Sequence, residues 1–145
     1  AAPRTGYAAW TDPIDVGALL EQPMICREAG SGTQKTFEDA LARAGVDPDV
    51  LRVRARLESP EALKAAVACG AGVAVVSSLA AADDVAEGRL LAFHVGGLDM
   101  RRQFHMISHR RKVLSPATEA FRRHVVNEFG RLSEAKSAEK AVRPQ

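Results

Sequence analysis

Pro23-Met24-Ile25-Cys26-Arg27-Glu28-Ala29-Gly30-Ser31-Gly32-Thr33-Gln34-Lys35-Thr36-Phe37 is the stretch on which the fold turns. Met24-Ile25-Cys26 is a short apolar run after a proline, the pattern of a buried strand. From Phe37 the pattern changes. Phe37, Ala40, Leu41 and Ala44 recur at spacings of three and four, which makes one apolar stripe on a helix. Ser31, with Gln34 three residues later, predicts a capping box, and Gly45 sits where a left-handed helix terminator belongs. The segment therefore reads as strand, glycine turn and helix.

The same alternation continues downstream. Leu51, Val53, Ala55 and Leu57 alternate with Arg52, Arg54 and Arg56, predicting a half-exposed strand. Ser59-Pro60-Glu61 supplies an N-cap, a first-turn proline and an early acid for a helix running to about Cys69 and stopping at Gly70. Val73 to Val76 predicts a buried strand, and Ser78 caps a helix ending near Gly88. Leu90 to Val95 and Gln103 to Ser108 predict strands either side of Gly96-Gly97. Ser115-Pro116 opens a last helix with Phe121, Val125 and Phe129 a turn apart, and from Ser133 a frayed tail is expected. Upstream, residues 1 to 13 read as irregular, and Asp15 caps a short helix over Val16 to Glu21. Strands and helices in this order predict an α/β sheet with right-handed crossovers.

The totals narrow the function. The 145 residues suffice for one domain or two small lobes, and 46% apolar with 26% charged content is that of a globular protein with a packed core. A net charge of +2, with both signs interspersed, gives no electrostatic case for nucleic acid as the main partner. No apolar run reaches the roughly 18 residues that a membrane span needs. The first residues lack a signal-peptide pattern, and Cys26 and Cys69 read as reduced, buried thiols, so a cytoplasmic location is expected.

Two turns are candidate sites. Gly30-Ser31-Gly32-Thr33 combines glycines that permit close backbone approach with free first-turn amides and hydroxyls suited to an anion. A ligand-free capped helix uses the same residues, so loop chemistry leaves both readings open. Ser59-Pro60-Glu61 is a second helix start after a strand, and ligands in open α/β sheets sit at the carboxyl ends of strands. Lys35-Thr36 resembles the end of a nucleotide P-loop, but Gln34 stands where that motif needs glycine. Ala66, Gly70 and Val76 match helix-turn-helix offsets, yet the would-be recognition helix begins Val73-Ala74-Val75-Val76, which can read no base edge. His94, His105, His109 and His124 are scattered. On a strand, His105 and His109 would stand about 13 Å apart, too far to share a metal. Arg101, Arg102, Arg110, Arg111 and Lys112 read as guards at a strand's ends. Neither cysteine has an adjacent base, so no catalytic residue, metal site or cofactor is expected.

Four blocks together resemble the effector-binding domain of LysR-type transcription regulators. They are Arg27-Glu28-Ala29-Gly30-Ser31-Gly32-Thr33; Leu57-Glu58-Ser59-Pro60-Glu61-Ala62-Leu63-Lys64-Ala65-Ala66-Val67; Gly70-Ala71-Gly72-Val73-Ala74; and Leu114-Ser115-Pro116-Ala117 with Ala120-Phe121. The resemblance covers about residues 8 to 130. It implies a type 2 periplasmic-binding-protein-like α/β fold: a mostly parallel sheet with flanking helices, arranged as one full lobe plus part of a second. On that pattern residues 1–23 hold part of the first lobe and a crossover, 24–95 the second lobe, 96–132 the return crossover and last helix, and 133–145 a tail. Ser31, Gly32, Thr33, Ser59 and Pro60 would line the second lobe's side of a cleft for a small effector, often an anion or carboxylate. DNA would be bound only through a winged helix-turn-helix that relatives carry before the sensing domain. The first half of lobe one would also lie outside this chain, and the unfinished sheet edges predict a homo-oligomer. A solute-binding protein of a transport system and a small α/β phosphate-handling enzyme are the alternatives.

Overall fold

The computed structural model describes residues 1–101, 107 and 114–141, with side chains through residue 129. The chain forms two compact units, Ala1–Gln103 and Phe104–Gln145.

The first unit is organised around one short strand. Its elements are β1 (Ala2–Pro3), α1 (Val16–Leu20), β2 (Pro23–Arg27), α2 (Gly32–Arg43), β3 (Arg52–Leu57), α3 (Pro60–Ala68), α4 (Ser78–Ala86) and β4 (Leu90–Leu91). Strand β2 pairs in parallel with β3 on one side. On the other side the Ile25 amide donates to the Val73 carbonyl at 2.8 Å, and the Val73 amide to the Pro23 carbonyl at 2.9 Å. Alternation then divides the side chains. Met24 and Cys26 join Phe37 and Leu41 of α2 in one cluster, whereas Ile25 joins Leu63 and Val67 of α3, with Ala74 and Leu90, in another. Phe37, Leu41, Leu63 and Val67 are fully buried. At roughly 1.5–3 kcal/mol each, these side chains clamp β2 from both faces.

The chain ends of this unit tie to the sheet through two crossing segments. β1 and β4 pair antiparallel, with Ala2 opposite Leu91. The Ile14 amide donates to the His94 carbonyl at 2.9 Å, and the Gly96 amide to the Ile14 carbonyl at 2.8 Å. Trp10 packs edge-on against Tyr7 and Phe93, at centroid distances of 4.8 and 5.5 Å. Helices α3 and α4 are locked by Lys64, whose Nζ lies 2.7 Å from Asp84 Oδ2 and donates to the Ala80 carbonyl. Bonds from Lys64 and then Arg89 hold the Asp84 carboxyl below its ordinary range.

Several expectations need correction. β3 is not half-exposed: Arg52 to Arg56 are all exposed, and Val53 retains 39% of its surface. A register shift between Met24 and Ile25 leaves Arg54 without a partner residue in the ladder, so the alternation of β3 no longer matches one face. Only Leu51 and Leu57 pack inward, and they join different clusters. Val73 to Val76 is not a full strand: Val73 alone bridges to Met24, and the Ala74 amide turns away to the Ala1 carbonyl. Leu90 to Val95 is likewise reduced to β4 and a parallel bridge from Val95 to Ile14. The cap of α4 is Ser77, one residue earlier than Ser78. Cys69 is exposed because it is the C-cap of α3, although Cys26 is buried and both thiols are free. The expected strand Gln103 to Ser108, with His105, His109, Arg102, Arg110, Arg111 and Lys112, lies outside the described residues apart from Ile107.

The second unit contains α5 (Pro116–Ala141). The Ser115 hydroxyl caps it by accepting the Thr118 amide at 3.2 Å. The helix runs past Ser133, where a frayed tail was expected, because Ala, Glu and Lys dominate that stretch and favour helix. Phe121 and Phe129 are exposed in this unit. No described helix is long and apolar enough to cross a membrane.

Gly72 is the tightest approach in the sheet. A Cβ there would meet the Pro23 carbonyl oxygen at 2.2 Å, and its φ is 153°, whereas Gly70 (φ 82°) has open space. Gly72→Ala should therefore destabilise by about 2–3 kcal/mol and Gly70→Ala by about 1 kcal/mol. Urea unfolding of the two variants checks the order, which equal costs would contradict.

Candidate functional site

The candidate site lies where β2 and β3 end. Arg27 and Leu57 are register partners, so the turns that follow them leave the same edge of the parallel pair. One leads into α2 through Gly30–Ser31 and the other into α3 through Glu58–Ser59. The last residue of β2 is fixed from both neighbouring elements. Its amide donates to Gln34 Oε1 at 3.1 Å, and its carbonyl accepts Arg56 Nη1 at 3.3 Å.

The two helix starts are chemically unlike. At α2, Ser31 is the N-cap and is buried, with its hydroxyl accepting the Gln34 amide at a long 3.5 Å. The reciprocal arm of the expected capping box is not made. The Gln34 side chain serves Arg27 and Glu38 instead, so it ties the helix to the strand rather than to its own cap. Gly32 and Thr33 open the first turn, where amides lack intrahelical acceptors. Thr33 is half-buried and Gly32 exposed. Glycine at 30 takes φ 92° to turn the chain into the helix.

At α3, the Ser59 hydroxyl accepts the Ala62 amide at 3.2 Å and lies 3.0 Å from Glu61 Oε2, to which it donates. Glu61 also accepts its own backbone amide, and that bond, then Ser59, holds its carboxyl below the ordinary range. Pro60 occupies the first helical position and offers no amide. The α3 start thus already carries an internal anion. Among the described residues, no carboxylate is bonded to the α2 start.

The expected Ser31–Gly32–Thr33 turn and the Ser59–Pro60 turn therefore emerge from adjacent strand ends, with unequal capacity for a ligand. Arg27 and Glu28 were not singled out as site residues. Arg27 Nε lies 2.7 Å from Glu28 Oε2, and Arg27 Nη2 donates to Glu28 Oε1 at 2.9 Å. The pair is partly buried, the Arg27 side chain being 18% exposed. The bond to Glu28 raises the Arg27 pKa, and the reciprocal bond lowers that of Glu28. Glu61 adds a further attraction on Arg27 across the strand ends. The position of Arg27 at the end of an apolar run was the signal that could have found it.

Burial pushes the Cys26 thiol pKa up, which disfavours the thiolate. Among the described residues no three His, Cys, Asp or Glu side chains cluster to hold a metal. A separate apolar cavity of about 70 Å³ is lined by Trp10, Ile14, Leu19, Val73, Phe93 and Val95, among others, and none of the expected site residues borders it.

Comparison with known proteins bears on the family and the fold. Residues 1–130 match the model of the LysR substrate binding domain. A RuBisCO operon transcriptional regulator of Allochromatium vinosum is 34% identical over 82% of this chain, which covers 38% of that protein. The Synechocystis PCC6803 CcmR regulatory domain, solved in complex with 2-PG, superposes with a TM-score of 0.73 at 30% identity, covering 87% of this chain and 59% of that one. The effector binding domain of QuiR, solved with shikimate, shares the fold at a TM-score of 0.59 and 18% identity. The chain spans well under half the length of the curated regulator it matches.

The cap geometry makes one prediction. Ser59→Ala should cost about 1 kcal/mol of stability, and Ser31→Ala nearer 0.5 kcal/mol because its cap bond is stretched. Thermal unfolding of both variants checks the ranking, and a larger loss at Ser31 would contradict it.

Proposed function

The chain belongs to the LysR substrate-binding domain family, and from that premise we propose that it senses a small anionic effector at the start of α2. Ser31, Gly32 and Thr33 hold the anion, and the neighbouring Ser59–Pro60 turn forms the adjoining wall. The observation that carries this reading is the contrast between the two helix starts. That of α3 is occupied by its own Glu61 carboxylate, whereas that of α2 presents first-turn amides and the Thr33 hydroxyl with no internal anion bonded to them among the described residues. Helix N-termini favour negative charge, and Arg27, which ends the preceding strand, has its backbone amide bonded to Gln34 in the first turn of this helix. The bound ligands named for the CcmR and QuiR domains support an effector of small-molecule size.

In the whole protein, effector binding would shift the arrangement of lobes or subunits and so control transcription through a winged helix-turn-helix outside this chain. A two-lobed cleft, a cytoplasmic location and self-association belong to the same reading. Among the described residues β3 pairs only with β2, and this edge supports self-association, since an uncovered edge strand invites pairing.

Thermal-shift measurements with inorganic phosphate, 2-PG and shikimate test the reading. At about 100-fold above its dissociation constant, a ligand that binds the native state stabilises by about 2.7 kcal/mol. At least one of these compounds should raise the melting temperature of the chain, and Thr33→Ala should abolish that rise while leaving the unliganded midpoint nearly unchanged. No rise with any of them, or an equal rise in Thr33→Ala, would contradict the site.

A further inference from the structure

We propose that Arg27 selects the charge of the effector and that Glu28 is its built-in competitor, a carboxylate that occupies the guanidinium until an oxyanion displaces it. The inference rests on the effector site placed at the α2 start.

Four observations carry it. First, Arg27 stands at the end of β2 with its backbone bonded to Gln34 of α2 and to Arg56 of β3, so the root of its side chain is held by two elements. Second, it is partly buried, and an unpaired guanidinium there would lose hydration without compensation. Glu28 supplies that compensation in the two-point geometry that a carboxylate or phosphate uses on arginine. Third, the pair uses two of the five guanidinium donors, and no other described residue accepts from the Arg27 guanidinium. Fourth, the two acids beside Arg27 are not equally held. Glu61 is bonded to the Ser59 hydroxyl, whereas Glu28 is bonded through both carboxylate oxygens to the Arg27 guanidinium. Glu28 is therefore the acid that an incoming oxyanion would have to displace from Arg27.

The exchange is charge for charge. A neutral polyol cannot replace a carboxylate on arginine, and a compact monoanion gains little over Glu28. A phosphate, or a carboxylate that also reaches the Thr33 hydroxyl and the first-turn amides of α2, gains contacts that Glu28 cannot make. The Arg27–Glu28 pair thus sets an affinity threshold favouring oxyanions that bridge Arg27 and the α2 start.

Calorimetric titration of the chain with inorganic phosphate and with 2-PG tests this on four proteins: the parent, Glu28→Gln, Arg27→Gln and Thr33→Ala. The expected pattern is binding about threefold or more tighter in Glu28→Gln and about tenfold or more weaker in Arg27→Gln, the ordinary worth of a charged hydrogen bond. If Thr33→Ala loses binding while neither Arg27→Gln nor Glu28→Gln changes it, this proposal falls and the site at α2 stands. Weaker binding in Glu28→Gln would make Glu28 a partner of the effector and overturn its role as competitor. No binding to the parent overturns both readings. Should Arg27→Gln fail to fold, Arg27→Lys, which keeps the charge but loses the two-point geometry, and Glu28→Gln decide the matter.

Discussion

The burial of β2 is the constraint from which the rest of the structure follows. A five-residue strand has little area to offer, so it must be covered on both faces and paired on both edges. Met24 and Cys26 are covered by α2, Ile25 by α3, and the backbone is bonded to β3 and to Val73. The close approach of Gly72 to the Pro23 carbonyl is part of the same arrangement, since any side chain there would push the neighbouring segment off the strand. Both helices that cover β2 start at its carboxyl end or that of its partner. The fold therefore concentrates helix N-termini, with their unsatisfied amides, at one edge.

That concentration poses an electrostatic problem which the chain resolves asymmetrically. The α3 start is closed by Glu61 and Ser59, while the α2 start is capped only weakly by Ser31. Arg27 would add a third positive element, and Glu28 neutralises it. The charges at this edge are thus paired internally, more tightly at the α3 start than at the α2 start. In the proposed sensing role, an anion would exchange external for internal contacts on the α2 side.

Much of this was legible in the residues. The strand, turn and helix over residues 23–45 appear as expected, as do the Ser59 cap with Pro60 and the α/β class. The sheet was less legible, for physical reasons. The clean alternation of Leu51 to Leu57 predicts a buried face, but a ladder irregularity opposite Met24 and Ile25 exposes Val53, and register is not a property of one strand alone. The β-branched run from Val73 to Val76 pairs only at Val73, because Ala74 bonds to Ala1, a partner far away in sequence. At the site, Ser31 and Gln34 match the capping-box spacing. No local rule shows that Gln34 is claimed by Arg27 across the turn, or that Arg27 is claimed by Glu28.

The proposed sensing role requires that an anion bind at the α2 start and not at the apolar cavity near Trp10 and Phe93. The most direct measurement is an amide chemical-shift titration of the chain with 2-PG. Saturable shifts centred on Arg27, Ser31, Gly32 and Thr33 are the predicted result. Shifts centred on Trp10, Phe93 and Val95, or none that saturate, would contradict it.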